Sequence, residues 1–432
     1  MHASRRDKRL VSRSRIIFLI ENMSFPRDRR VKQEAAALRQ QGCDVSVISP
    51  RGATHDEHWF EVIDGVRVYR YWQPWQGRSI AGYLLEYGWA MMWSFIIVCW
   101  IWAKEDFDVL HAANPPDLFW LIALPFTLLG KQFVFDQHDL CPELLASRRI
   151  KAAHLKGFLF SLERRSYKLA NLVIVTNQSA YEIALQRGAR KESLCIVRNG
   201  PDLDSFADVE ACPALKGWAR YMALYIGTIG PQDGVDLIVR AAHHIVHDRA
   251  RRDIRFAILG DGDCVKDLQV LTRALKVEPY VQFCGWLNGT EFLSYISTAD
   301  VCLAPEPSDE FNQRSSFMKL AEYMCYSKVT ISFDLPESRR TLGPAGIFVE
   351  RDDAAHFGDA VLQALDDPER RHRLGRIAAA RLRRSFHWGI SRKVLLNAYE
   401  AVIWNRSALA ANNAGLFEDL EDEDEAALAY RL

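Results

Sequence analysis

The 432-residue sequence has no net charge, because 55 lysines and arginines balance 55 aspartates and glutamates. Nothing global therefore points to nucleic acid, which calls for a basic surface. The nine cysteines form no C-x-x-C pair and show no metal-type spacing, so neither a zinc module nor a disulfide framework is written here. A reducing cytosol is the expected setting. No signal peptide is expected either, since Ile16–Ile20 is too short for its apolar region and reads as a first strand.

What is present is globular: 49% hydrophobic and 25% charged, over a length that suits two domains. Charge gathers at the ends. Arg5, Arg6, Lys8, Arg9, Arg13 and Arg15 crowd the start, and Glu418, Asp419, Glu421, Asp422, Glu423, Asp424 and Glu425 crowd the end. Residues 1–14 and 406–432 are expected to be flexible tails.

Between them runs an alternation of short apolar strands and helical patterns, which predicts an α/β fold. Ile16–Ile20, Val45–Ser49 and Val66–Tyr71 read as strands, with a helix at Val31–Gln41. The loop Glu21–Arg30 then lies at a strand's carboxyl end, where Arg27, Arg29 and Arg30 either meet an anion or form a solvated basic turn. Tyr83–Trp102 (YLLEYGWAMMWSFIIVCWIW) is nearly as apolar as a membrane span. Glu86 and Gly88 interrupt it, and the strand Val109–Ala112 follows directly, so a buried or membrane-surface helix is expected over a spanning one. A second apolar helix, Leu118–Leu129, reads as a core element. Strand Phe133–Asp136 runs into His138 and Asp139, where reacting atoms would be met unless local hydrogen bonds simply satisfy the histidine. Residues 15–205 form the expected first domain, 206–220 a linker and 221–385 the second domain, followed by a terminal helix over 386–405.

The second domain holds the densest signal, Ala304–Gly343 (APEPSDEFNQRSSFMKLAEYMCYSKVTISFDLPESRRTLG). Strand, polar loop, helix over Ser315–Cys325 and strand follow one another, with Ser315 or Ser316 available as the helix cap. A helix starting there directs amides and a positive dipole end at an anion. Lys319 and Glu322, three apart, share a face: one suits a phosphate and the other a sugar diol, or the two form a surface ion pair. The glycine-rich loop 227–234 after strand Met222–Ile226 would let a backbone approach a diphosphate, although such glycines are common in α/β folds.

At this point the sequence resembles the family-4 retaining glycosyltransferases of the GT-B fold, in which two Rossmann-like doubly wound domains face a cleft. The resemblance covers residues 15 to 405 and rests on FPRDRRVKQEAAALRQQGCDVSVIS, FDQHDLCPELL, VTNQSAYEI, VRNGPD, YIGTIGPQDGVDLIVRA, FAILGDGD, VQFCGWL and RSSFMKLAEYM, in that order. It implies a first domain that holds the acceptor, a second that holds a UDP- or GDP-sugar, and a terminal helix crossing back to brace the first. It makes Glu322 the carboxylate on the ribose diol, and Ser315, Ser316, Phe317 and Met318 the cradle for phosphate and sugar. Gly227 and Gly230 would border the diphosphate, and Trp286 and Leu287 would flank the base. His138, with Asp139 beside it, would sit at the sugar's reacting carbon, and Asn199 falls in the matched turn near the acceptor.

Two departures stand out. The family's second glutamate, eight residues before Glu322, is Arg314 here. The usual Arg and Lys of the glycine loop fall on Thr228 and Asp233. Lys319, with Arg314, is therefore the expected source of positive charge. No metal or other cofactor is expected. The implied activity is transfer of a sugar, with retention, to a glycan acceptor that the aromatic helix suggests is lipid-linked. The place would be the cytoplasmic surface of a membrane, in polysaccharide assembly. A nucleotide-sugar 2-epimerase and a degenerate scaffold remain the alternatives.

Overall fold

The computed structural model describes residues 14–52, 58–75, 77, 80–147, 153–204 and 209–404. The acidic tail and all but the last residue of the basic start lie outside them. The chain forms two compact units: most of the chain up to Arg198 together with the segment from Ser391, and Asn199–Ile390. It passes between them at Arg198–Asn199, ahead of the expected linker, and again inside the helix Trp388–Trp404.

The first unit is built on eight strands: β1 (Arg15–Leu19), β2 (Asp44–Pro50), β3 (Phe60–Ile63), β4 (Val66–Tyr71), β5 (Val109–Ala113), β6 (Gln132–Gln137), β7 (Leu172–Val175) and β8 (Leu194–Ile196). Their order is β3-β4-β2-β1-β5-β6-β7-β8. All pairs are parallel except β3 with β4. Continuous apolar runs such as Ile16–Leu19 are buried on both faces because helices cover both sides. Strand β3 escapes a reading based on apolar runs, since Phe60 and Val62 are exposed at the sheet edge. Its readable sign is Asp64-Gly65, both at positive φ, which turns the chain back into β4.

The helix Ile80–Glu105 crosses over from β4 to β5, skipping β2 and β1. Ala90, Val98 and Ile101 join the sheet's core, while Leu84, Leu85, Met92, Phe95, Ile96, Trp100 and Trp102 are exposed. It is long and apolar enough to cross a membrane by length and composition, and only 28% of its most apolar window is buried. The next helix, Trp120–Leu128, is the expected core element along one face only. Ile122, Ala123 and Phe126 face inward, but Leu121, Leu124 and Leu128 are exposed. A helix apolar all round gives no periodic signal of which face is covered.

The second unit carries six parallel strands: β9 (Tyr221–Ile226), β10 (Ile254–Leu259), β11 (Val281–Gly285), β12 (Val301–Ala304), β13 (Thr330–Phe333) and β14 (Gly346–Val349). Their order is β11-β10-β9-β12-β13-β14. This is the doubly wound arrangement, with the order reversing beside β9, and all loops after the strands share one edge. The turns after β9 and β10 press together there. Gly260 has φ +134, and a Cβ on it would stand 1.8 Å from the Gly227 carbonyl oxygen. Gly260→Ala is therefore expected to destabilise this unit by about 2 kcal/mol or more. Urea denaturation of the variant beside the parent chain measures the loss, and an unchanged midpoint would contradict the close approach.

Candidate functional site

In the second unit, the loop after β9 meets the side chain of Lys319. A Cβ on Gly227 would lie 3.0 Å from Lys319 Nζ. The ammonium sits 4.1 Å from the centre of the Tyr225 ring and pairs with Glu306, the second residue after β12. Glu306 is fully buried, and its Oε2 has no hydrogen-bond partner among the described residues. A buried carboxylate stays ionised in such a place only beside a cation. Lys319 thus stands paired with an acid at the strand ends, largely buried, against a glycine backbone. Sequence reading missed Glu306, whose only sign is an acid directly after a buried strand.

Lys319 and Glu322 do not form a surface ion pair: both are buried, and the lysine's carboxylate partner is Glu306. The helix that carries them runs Met318–Cys325, not from Ser315. Phe317 occupies the cap position in an extended conformation without a side-chain cap, so neither Ser315 nor Ser316 caps it. Ser315 instead donates its hydroxyl to the Phe311 carbonyl at 2.8 Å, because the short 3-10 turn Asn312–Arg314 brings that carbonyl within reach. Ser316 and Met318 are half-buried beside the helix start. Arg314 lies 3.5 Å from Glu310, which already draws on its charge.

Gly230 is in the same loop, but its amide donates to Asp233 Oδ2 at 2.8 Å. Burial lifts Asp233 to about 6, while Lys319 and the Gly230 amide pull the other way. An acid therefore occupies a place where the resemblance implied a cation. Trp286 and Leu287 follow β11, two strands from β9 on the same edge. Trp286 is largely exposed, its indole donating to Asn288 at 3.1 Å, and Leu287 is half-buried.

In the first unit, His138 is organised by Asp136 at the end of β6. His138 Nε2 lies 2.6 Å from Asp136 Oδ2. Arg30 clamps the same carboxylate with bonds of 2.9 and 2.6 Å. Glu34, one helical turn on, lies 3.3 Å from Arg30, and His111 is 3.5 Å from Asp136. Tyr399, from the C-terminal helix, closes the group by bonding His111 Nδ1. The loop beyond is fixed by Asn114, whose Oδ1 accepts the amides of His138 at 2.6 Å and Asp139 at 3.1 Å. Asp139 itself is half-buried beside His138. Glu34, His111 and Asp136 bring ligand-type atoms within 4.8 Å of one another. The Arg30 guanidinium already supplies the cation there, so a metal does not fit.

Arg30 accordingly leaves the expected anion loop. The helix runs Arg29–Gln40, capped by Asp28, which accepts the Val31 amide at 3.0 Å. That start, two residues earlier than expected, turns Arg30 inward. Arg27 and Arg29 remain exposed, and Asn199 is half-buried where the second unit begins. The spacing of Arg30 and Glu34 with Val31, Ala35 and Leu38 was the readable sign of a charged pair on an inward face.

Burial disfavours a charged His138, but Asp136, by charge and hydrogen bond, outweighs it and holds the imidazole up to about 9. Asp136 is held well below the usual carboxylate range: burial opposes this, but Arg30 and His138 prevail. Because the His138 value is raised, this pair's contribution to stability is complete below about 6.5 and is lost as pH climbs through about 9. In Asp136→Asn the imidazole is expected to titrate at or below the ordinary histidine value. Proton NMR titration of the His138 ring reads this directly, and an unmoved value would refute the role given to Asp136.

Comparison with known proteins agrees with this layout. Residues 28–200 match the glycosyl transferase 4-like domain, and residues 220–367 match the glycosyl transferases group 1 model. A D-inositol 3-phosphate glycosyltransferase of Kineococcus radiotolerans is 23% identical over 88% of this chain and 91% of its own. Among solved structures, sucrose-phosphate synthase from Thermosynechococcus elongatus superposes with a TM-score of 0.71 at 17% identity, over 91% of this chain and all of its own. HepE of Anabaena, in complex with UDP-glucose, gives 0.66 at 14% identity, covering 90% of this chain and 99% of its own. The two family models between them take in most of both units, and those solved structures share the fold. The chain belongs to the family-4 glycosyltransferases of the GT-B fold.

Proposed function

We propose that this glycosyltransferase moves a hexose, with retention, from a UDP- or GDP-sugar to a glycan acceptor carried on a lipid. The place is the cytoplasmic surface of a cell membrane, in surface polysaccharide assembly. The observation that carries the donor half is Lys319, a charged side chain held against the Gly227 backbone at the strand ends. A diphosphate there would meet the cation that Thr228 and Asp233 do not provide. Glu322, one turn along the same helix, is in register to accept the two ribose hydroxyls. That HepE is solved with UDP-glucose supports a donor of this class.

In the reaction the bond from the anomeric carbon to the diphosphate breaks, and a bond to the acceptor oxygen forms on the same face. The acceptor's proton passes to the departing phosphate oxygen. Lys319 stabilises the charge that grows on that oxygen. His138, with Nε2 committed to Asp136, presents Nδ1 as a donor to the sugar. Backbone amides and Lys319 neutralise the phosphates, so the transfer runs without a metal ion.

The acceptor half rests on the exposed apolar face of Ile80–Glu105 and Trp120–Leu128. Contiguous patches of this kind are rare on freely soluble chains, and tryptophans favour the bilayer interface. Seated there, the enzyme would meet acceptors anchored in the membrane.

Lys319→Ala is expected to slow release of nucleotide from the donor about 100-fold or more, and Glu322→Ala to raise the donor KM about tenfold. Full turnover in Lys319→Ala would refute the diphosphate role, and epimerised product released without an acceptor would favour the epimerase. For the membrane, the chain is expected to float with vesicles containing phosphatidylglycerol. Leu84→Glu with Leu85→Glu, both at exposed positions, should leave it in the dense fraction. Equal behaviour of the two proteins would contradict docking through this face.

A further inference from the structure

A second cluster of polar groups lies in the first unit, apart from the Asp136–His138 group. Glu21 directly follows Ile20 at the carboxyl end of β1, and Glu86 comes from the second turn of the helix Ile80–Glu105; both are buried. One amide joins them: Gln73 Nε2 donates to Glu86 Oε1 at 2.6 Å and to Glu21 Oε1 at 3.3 Å. The Gly77 amide adds a bond of 2.7 Å to Glu86 Oε2. Burial, and then the charge of Glu86, lift Glu21 to about 7, with the Gln73 bond partly offsetting them.

Two further atoms of the cluster have no hydrogen-bond partner among the described residues. Tyr71 ends β4 with only 2% of its surface exposed, and its hydroxyl has no hydrogen-bond partner among the described residues. Its ionisation is opposed by burial first and then by the charges of Glu21 and Glu86. Gln73 Oε1 is likewise buried and unpartnered. Polar atoms of this kind are costly unless something binds them.

Aromatic rings border the cluster. Trp89 shares a helix face with Glu86 and packs against Trp72 and Trp75, with ring centres 6.4 and 5.9 Å away. Trp72 is 60% and Trp75 42% exposed, so both present open indole surface.

We infer that Glu21, Gln73, Glu86 and Tyr71, flanked by Trp72 and Trp75, form a subsite for a neutral hydroxyl-rich ring, the sugar or cyclitol of the acceptor. This rests on the glycosyltransferase reading above. The polar groups are mostly hydrogen-bond acceptors, which suits a ligand that brings several hydroxyl donors. The indoles suit the C–H faces of such a ring. An ammonium ligand would be served better by two fully ionised acids than by a pair in which one is held near half-protonation. The position also fits transfer. In the order β1-β5-β6, Glu21 and His138 lie two strands apart on the same edge, about 10 Å at the usual strand spacing.

The test is binding of methyl glucoside, methyl mannoside, N-acetylglucosamine, myo-inositol and glucosamine to the full chain, read by saturation-transfer NMR and tryptophan fluorescence. At least one neutral ring is expected to bind saturably. Glu21→Gln with Glu86→Gln, and separately Trp75→Ala at its exposed position, should weaken it at least tenfold while UDP and GDP binding stays as in the parent. Absence of saturable binding, binding indifferent to these changes, or binding of glucosamine alone would each overturn the subsite. Neither readout depends on turnover. Failure here with donor consumption intact would therefore leave the glycosyltransferase reading standing, and loss of donor consumption would fall on that reading instead.

Discussion

A lysine ammonium buried at the end of a parallel sheet has to be held by opposite charge, and that requirement organises the second unit. Lys319 reaches from its short helix to Glu306 and rests on Tyr225, against the backbone of Gly227. Taking two charges out of water costs several kcal/mol per ion, and a pair repays this only with good geometry and further partners. Here one carboxylate oxygen, Glu306 Oε2, lacks a hydrogen-bond partner among the described residues. Such an arrangement is a poor device for stability alone and a good one for keeping a cation in place for a phosphate. It also sets a lysine at the strand ends of a unit that has an acid at position 233 and a threonine at 228.

The first unit solves a similar problem with more groups. Asp136 stands fully buried and is shared by Arg30, His138 and His111, with Tyr399 closing the far side. The C-terminal helix is thereby tied to the same carboxylate that sets the charge on His138. Glu34, buried beside Asp136, is pushed upward by burial and by that neighbour, which spares the cluster a second full negative charge. Position and protonation of the histidine are consequences of one network.

Much of the fold was legible because strand runs such as Ile16–Leu19 and Val301–Ala304 are apolar on both faces, as buried parallel strands must be. The order of motifs carried the family. What the sequence hid was the burial of charge. Arg30 looks like a member of a basic turn until the Asp28 cap shifts the helix start and swings it inside. Glu306 and Asp136 look like ordinary loop-edge acids, and their importance comes from partners at distant positions, Lys319 and Arg30. The helix Trp120–Leu128 does enter the core, but along one face that the sequence did not mark: uniform apolarity conceals which side protein covers. Ser315 and Ser316 were plausible caps by composition, but the 3-10 turn at Asn312–Arg314 settles where the helix begins.

The most direct measurement is calorimetric titration of the intact chain with UDP, GDP and ADP, each beside its own monophosphate. If Lys319 waits at Gly227 for the second phosphate, the nucleotide that binds will do so at least tenfold more tightly as the diphosphate, and raised salt will narrow the gap. Equal affinity for the monophosphate and diphosphate of that base would contradict the account.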